Sequence, residues 1–237
     1  MRVNRFLKSI CIVMVLTIVM LSLCSCARDF AIKNTNIFDD YEIEMISTIH
    51  KYKGPGGDIV LPQKGSDNKT DIETIDLWAF EYNDKITSIV IPNGLKFIKA
   101  SSFRVCTNLT SVSLPESVES IGKYAFAHCK SLSVINIPKK VKIIEEGLFK
   151  DCVKLTSINI PNGVTTIDTF SFEGCKNLET ISIPSSVKII AYCAFEGCEN
   201  LKEVYYAGTQ EQWEEIYNES GNAYLNGANI YFEVKAA

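Results

Sequence analysis

From Pro92 onward the order of apolar and polar residues repeats every 23 positions, with Pro92, Pro115, Pro138, Pro161 and Pro184 keeping the spacing without a slip. Counted from each proline, apolar residues return at offsets 3 and 6: Leu95 and Ile98, Val118 and Ile121, Val141 and Ile144, Val164 and Ile167, Val187 and Ile190. Offset 11 is always phenylalanine (Phe103, Phe126, Phe149, Phe172, Phe195) and offset 14 always cysteine (Cys106, Cys129, Cys152, Cys175, Cys198). Leucine holds offset 17, from Leu109 to Leu201, and two more apolar residues, such as Val112 and Leu114, close each unit. Pro62 stands 30 residues before Pro92, and a seven-residue polar insertion around Gly65–Lys69 restores the register through Ile72, Ile75, Phe80, Ile86, Ile89 and Ile91. The insertion reads as a loop. Asn83 takes the cysteine position in this copy, which brings the number of units to six.

The period dictates the architecture. Ile-x-Ile before each proline alternates with period two, so it is a short strand with one face inward. Proline ends it, having no N–H for a ladder. The Ala-Phe-x-x-Cys segment brings small and apolar residues back at helix-like spacing, which predicts a short helical turn. No unit can bury its apolar residues alone, so neighbours stack into one continuous core. The strands are expected to form a parallel sheet along one side.

The ends fit the same frame. Residues 38–53 alternate (Tyr41, Ile43, Met45, Ile49) and supply one or two capping strands. Residues 210–217 read as a short amphipathic helix with Trp213, Ile216 and Tyr217 inward, and residues 228–234 as a last strand closing the open end. The expected division is an export signal at 1–25, linker and cap strands at 26–51, the solenoid at 52–206 and a C-terminal cap at 207–237.

At this level of detail the chain resembles a known family. The unit at 109–129, Leu-Thr-Ser-Val-Ser-Leu-Pro-Glu-Ser-Val-Glu-Ser-Ile-Gly-Lys-Tyr-Ala-Phe-Ala-His-Cys, is similar to those of the BspA-like (TpLRR) leucine-rich-repeat family of bacterial surface proteins. The entry Tyr52–Asp58 and the exit Val204–Trp213 resemble that family's flanks, and the likeness runs from about Tyr52 to Phe232. It implies a leucine-rich-repeat solenoid of short parallel strands and short helical turns. It also implies binding or adhesion, since relatives are associated with host matrix proteins and other cells.

The first eight residues carry Arg2, Arg5 and Lys8, and the next charge is Arg28. A basic start, an apolar run and small residues at its end describe a secretory signal. The run is also long enough for a membrane-spanning helix. Leu23-Cys24-Ser25-Cys26 resembles a bacterial lipobox, with Cys26 as the acylated residue. Cys24 is the poorer acceptor, because bulky Leu23 would occupy the cleavage position. A lipoprotein anchored at Cys26 is the expectation, with a plainly cleaved signal (hence secretion) and an uncleaved anchor as alternatives. Several acyl chains together give stable membrane attachment.

Removing residues 1–25 leaves 21 basic against 28 acidic residues, a net charge of −7. That argues against nucleic acid and anionic lipid faces as partners. The cysteine spacing does not suit zinc, which wants pairs two to four residues apart. Stacking puts equivalent cysteines about 4.8 Å apart, but their parallel side chains disfavour bridges. A buried thiol ladder is expected, with Cys193–Cys198 as the candidate stray bridge. His128 reads as a surface histidine on a variable turn. No catalytic motif is present, so neither a cofactor nor an enzyme activity is expected.

The candidate site is the outward face of the strands: Ser111, Ser113, Asn136, Ser157, Asn159, Thr180 and Ser182, ending at Tyr205. With Ser88, Val90, Val134 and Glu203 they make a nearly uncharged ladder about 24 Å long over five intervals. Such residues can simply be strand positions that solvate well; the functional alternative is a flat docking surface with Tyr205 as its aromatic anchor. Phe97, Ile143 and Ile189, at offset 5 of alternate units, are read as extra core tucked inward, with an outward apolar strip as the alternative. The resulting picture is a monomeric, lipid-anchored cell-surface module that binds an extracellular protein or glycan. A scaffolding lipoprotein with a partner on the same cell is the second reading.

Overall fold

The computed structural model describes residues 41–42, 47–65 and 68–232. Residues 1–25, expected to be an export signal, and Cys26, Ile43 and Met45 lie outside the described residues. The rest winds as stacked coils, each with three sides, and no described helix is long and apolar enough to cross a membrane.

The first side is the expected one. Strands β4 (Gly57–Val60), β6 (Ile86–Val90), β8 (Ser111–Ser113) and β10 (Val134–Ile135) pair in parallel. A second parallel block holds β12 (Ser157–Asn159), β14 (Thr180–Pro184), β16 (Glu203–Ala207) and β18 (Asn229–Phe232). Ile89, Val112, Ile158, Ile181 and Val204 point inward and are buried.

The second side corrects the expectation of a single sheet. Two-residue strands at offsets 5 and 6 form their own parallel ladders: β2 (Thr48–Ile49), β5 (Thr74–Ile75), β7 (Phe97–Ile98) and β9 (Ser120–Ile121), then β11 (Ile143–Ile144), β13 (Thr166–Ile167), β15 (Ile189–Ile190) and β17 (Tyr217–Asn218). In an extended pair only one side chain can face the core. Ile98, Ile144 and Ile190 take it, at 1% exposure or less. Phe97 is therefore only half-buried and Ile143 and Ile189 are exposed, so the inward reading of those three is overturned in favour of an outward strip.

The third side is a run of i→i+3 turns, such as Ala127 N–H to Tyr124 C=O and Cys129 N–H to Phe126 C=O. Each full turn carries left-handed residues at offsets 9 and 13, for example Tyr124 and His128, or Gly147 and Asp151. Gly147 suits its place twice over, since a Cβ there would strike the ring of Tyr124. Successive turns are tied by backbone bonds from Phe103 N–H to Ala125 C=O (2.9 Å), Phe126 to Leu148 (3.1 Å), Phe149 to Ser171 (2.8 Å) and Phe172 to Ala194 (2.8 Å).

These turns hold the core. The phenylalanines from Phe80 to Phe195 stack with centroids 4.8–6.0 Å apart, and Tyr52 adds a seventh ring 5.2 Å from Phe80. The cysteines explain their own constancy. Cys152 Sγ lies 3.2 Å from the carbonyl of Phe126, which also accepts Cys129 N–H at 3.2 Å, so the thiol donates to the carbonyl's second lone pair and links neighbouring coils. Cys106, Cys129, Cys175 and Cys198 repeat the contact at 3.1–3.2 Å. The ladder cysteines and Cys193 are buried free thiols, so the Cys193–Cys198 bridge is not formed. Burial pushes the thiols of Cys129, Cys152, Cys175 and Cys198 up, away from the reactive thiolate.

Both sheets are interrupted at one place. β10 pairs only back to β8 and β11 only forward to β13, so residues 134–144 form a seam between two hydrogen-bonded blocks. The turn ladder and the ring stack cross it, and the widest ring spacing, Phe126–Phe149 at 6.0 Å, falls there. Asn136 acts on the other edge of β10, where it extends the pairing with the preceding coil. Its Nδ2 donates to Leu114 C=O (3.0 Å) and its Oδ1 accepts Leu114 N–H (3.2 Å), taking the place of the strand backbone.

The C-terminal cap is one more, degenerate coil. Helix α1 (Gln210–Glu214) starts at Thr209 with a reciprocal capping box to Gln212. Trp213 packs edge-on against buried Tyr206, centroids 5.1 Å apart, and Ile216 is buried. Tyr217, expected inward, is 65% exposed because the helix has already ended and Tyr217 opens β17 beside Ile189. A short helix α2 (Ala223–Asn226) buries Leu225 before β18 closes the first sheet. At the other end β1 (Tyr41–Glu42) pairs antiparallel with β3 (Lys51–Tyr52).

Candidate functional site: a groove on the strand face

On the first side the outward residues form two rows, one on each side of the inward residue. Ser88, Ser111 and Val134 share one row, and Val90 and Ser113 the other. Beyond the seam, Ser157, Thr180, Glu203 and Asn229 make the first row and Asn159, Ser182, Tyr205 and Tyr231 the second. The expected unbroken ladder is thus two ladders: Ser111 and Ser113 lie on the N-terminal block, Asn136 at the seam, and the other five on the C-terminal block.

The seam opens a shallow groove of about 650 Å³ that collects Asn136, Asn159, Ser182 and Tyr205 from four successive coils. Its walls are Ile135, Ile137, Ile160 and Ile183 with Pro161, Pro184 and Ala207, and Glu116, Lys139 and Asn162 complete the lining. Ser111, Ser113, Ser157 and Thr180 stay outside it. Lys139 N–H donates to a Glu116 carboxylate oxygen at 3.1 Å, which fixes one end of the lining.

Tyr205 stands at the other end, 41% exposed. Its ring stacks on Tyr231 at 5.3 Å and 19°, and its hydroxyl donates to Glu203 at 2.7 Å. That hydrogen bond, then partial burial, raises the phenol's pKa, so the ring stays neutral. Sequence reasoning passed over Tyr231, although it falls on an outward position of the last expected strand. It also passed over Asp58, whose carboxylate accepts the hydroxyls of Thr87 (2.8 Å) and Ser88 (2.7 Å) at the N-terminal end of the row.

The chemistry-bearing residues elsewhere are accounted for structurally. His128 is half-exposed beside Asp151 at 3.1 Å, and His50 contacts Asp76 at 2.7 Å. Among the described residues no group of three or more histidines, cysteines and carboxylates could hold a metal ion.

Comparison with known proteins agrees with this geometry. Residues 72–211 match the model of the BspA type leucine rich repeat region, in six copies. A leucine-rich-repeat protein of T. pallidum is 30% identical, with a TM-score of 0.64, over 66% of this chain and 72% of that one. The pneumococcal vaccine antigen PcpA shares the fold at 18% identity and a TM-score of 0.61, over 80% of this chain but only 45% of the antigen. A leucine-rich-repeat protein of Eubacterium ventriosum is 24% identical, with a TM-score of 0.50, over 64% of this chain and 46% of that one. No curated protein sequence matches the chain. Six copies in register over residues 72–211, and the T. pallidum likeness over most of that protein's length, establish that the chain belongs to the BspA-type leucine-rich-repeat family.

Proposed function

We propose that the protein is a lipid-anchored surface module whose strand face docks an extracellular protein or glycan. A leucine-rich-repeat solenoid of this family is a scaffold suited to binding. The observation that carries the reading is the groove itself, where Asn136, Asn159, Ser182 and Tyr205 converge on an otherwise regular face. Stacked repeats present one residue row per coil, and such extended surfaces are what solenoids use for binding. The ligand is not encoded in the frame, because a repeat surface changes partner without changing fold.

Display and anchoring are tested together on intact cells. Brief protease treatment should release the repeats, and labelled fatty acid should attach to the wild-type chain but not to Cys26→Ala. Repeats spared by the protease would favour a scaffold out of reach of external partners. Label on the Cys26→Ala protein would overturn the anchor. A pull-down of purified matrix proteins and surface glycans by the displayed repeats identifies the ligand class.

A further inference from the structure

We propose that the groove at the seam is a subsite for a neutral oligosaccharide whose terminal pyranose packs against Tyr205. The inference rests on the docking reading and narrows its ligand.

The aromatic end wall is the first observation. One face of the Tyr205 ring is covered by Tyr231, and the neighbour in register on the other side is Ser182, too small to cover a ring. A flat apolar face therefore borders a polar groove. The C–H-lined face of a pyranose fits such a surface, since one side of the sugar is apolar while its rim is hydroxyl.

The polar groups are the second. Asn159 and Asn162 each offer two donors and an acceptor, and Ser182 a donor with two acceptors, which is the complement of vicinal sugar hydroxyls. None of the three is engaged by another side chain of the protein. The Asn136 amide is committed to Leu114, so this residue shapes the groove and does not contact the sugar. Successive coils repeat at about 4.8 Å, close to the advance per residue of an equatorially linked pyranose chain. One polar residue per coil thus meets roughly one sugar per coil.

Charge and size decide among ligands. Glu116 and Lys139 give the lining no net charge. The volume of about 650 Å³ lies within the range of roughly 300–1,000 Å³ usual for small-ligand sites. Asn159, Asn162 and Ser182 set amides and a hydroxyl among apolar walls, a mixed lining that suits both the hydroxyl rim and the C–H face of a sugar.

The test applies the purified full chain, in detergent micelles, to an array of neutral, sialylated and sulfated oligosaccharides, followed by titration of the members retained. Saturable binding is expected for neutral members only. Tyr205→Ala should weaken it about tenfold, while Tyr205→Phe, which keeps the ring, should bind nearly as well as wild type. Lys130→Ala, exposed on the turn side and outside the groove, should change nothing. All variants are checked for native circular dichroism. A blank array, binding confined to charged members, or undiminished binding by Tyr205→Ala overturns the proposal. If the array is blank while a purified matrix protein still docks on the strand face, the glycan inference fails and the docking reading stands.

Discussion

Phe149 shows how one position carries the architecture. Its ring is fully buried between Phe126 and Phe172, and its carbonyl binds Cys152 N–H at 3.1 Å and the Cys175 thiol at 3.1 Å. Phe149→Ala should cost about 3–5 kcal/mol in urea unfolding, as a truncated buried aromatic does. Lys142→Ala, at an outward position seven residues earlier, should cost under about 0.5 kcal/mol. Equal losses would mean the register is wrong. Positions of this kind were legible because one side chain recurs in every coil and only an inward site demands that. Ile143 and Ile189 were misread for the opposite reason. They recur in alternate coils only, and apolar character does not imply burial where a two-residue strand leaves one side chain outside.

At the scale of elements, the ends and the seam are where the repeat stops explaining itself. Asn222 terminates the turn ladder: its Oδ1 accepts Phe195 N–H at 3.0 Å, the bond that a following coil's carbonyl would otherwise accept. Its Nδ2 reaches Ala191 C=O (3.0 Å), Asn218 Oδ1 (2.9 Å) and Glu219 C=O (3.0 Å), all at a site 1% exposed. Asn222→Ala leaves Phe195 N–H unpartnered in the core, and each buried orphan costs about 1–3 kcal/mol. Hydrogen exchange should therefore speed up first at Phe195 and in β18, with the N-terminal coils unaffected; uniform loss of protection along the chain would show that the cap acts globally. The short helix and last strand were readable from spacing, but Tyr217 was carried one turn too far along the helix. The seam was not readable. Asn136 and Asn159 occupy the same offset, yet only Asn136 turns its amide into the ladder, while Asn159 pairs in register with Ser182.

As a whole molecule the protein is a stack whose frame is fixed by buried rings and thiols, leaving the outward rows free to differ from coil to coil. The period, read off the prolines, was enough to place the strand face. It could not show that the face divides at residues 134–144, because the period runs through the break unchanged. The C-terminal part of this face is where we propose that a partner docks. The direct test is titration of a ligand identified by pull-down against wild type and the double variant Ser157→Lys, Asn159→Lys. Both residues are exposed, so the variant should keep its circular dichroism and melting temperature. Two added ammonium groups on a face whose one charge is Glu203 should nevertheless abolish docking, because both must be desolvated as the partner seats. Loss of binding by a folded variant is the predicted result. Unchanged affinity in that folded variant would contradict the claim and move the docking surface to the strip of Phe97, Ile143 and Ile189 on the second side.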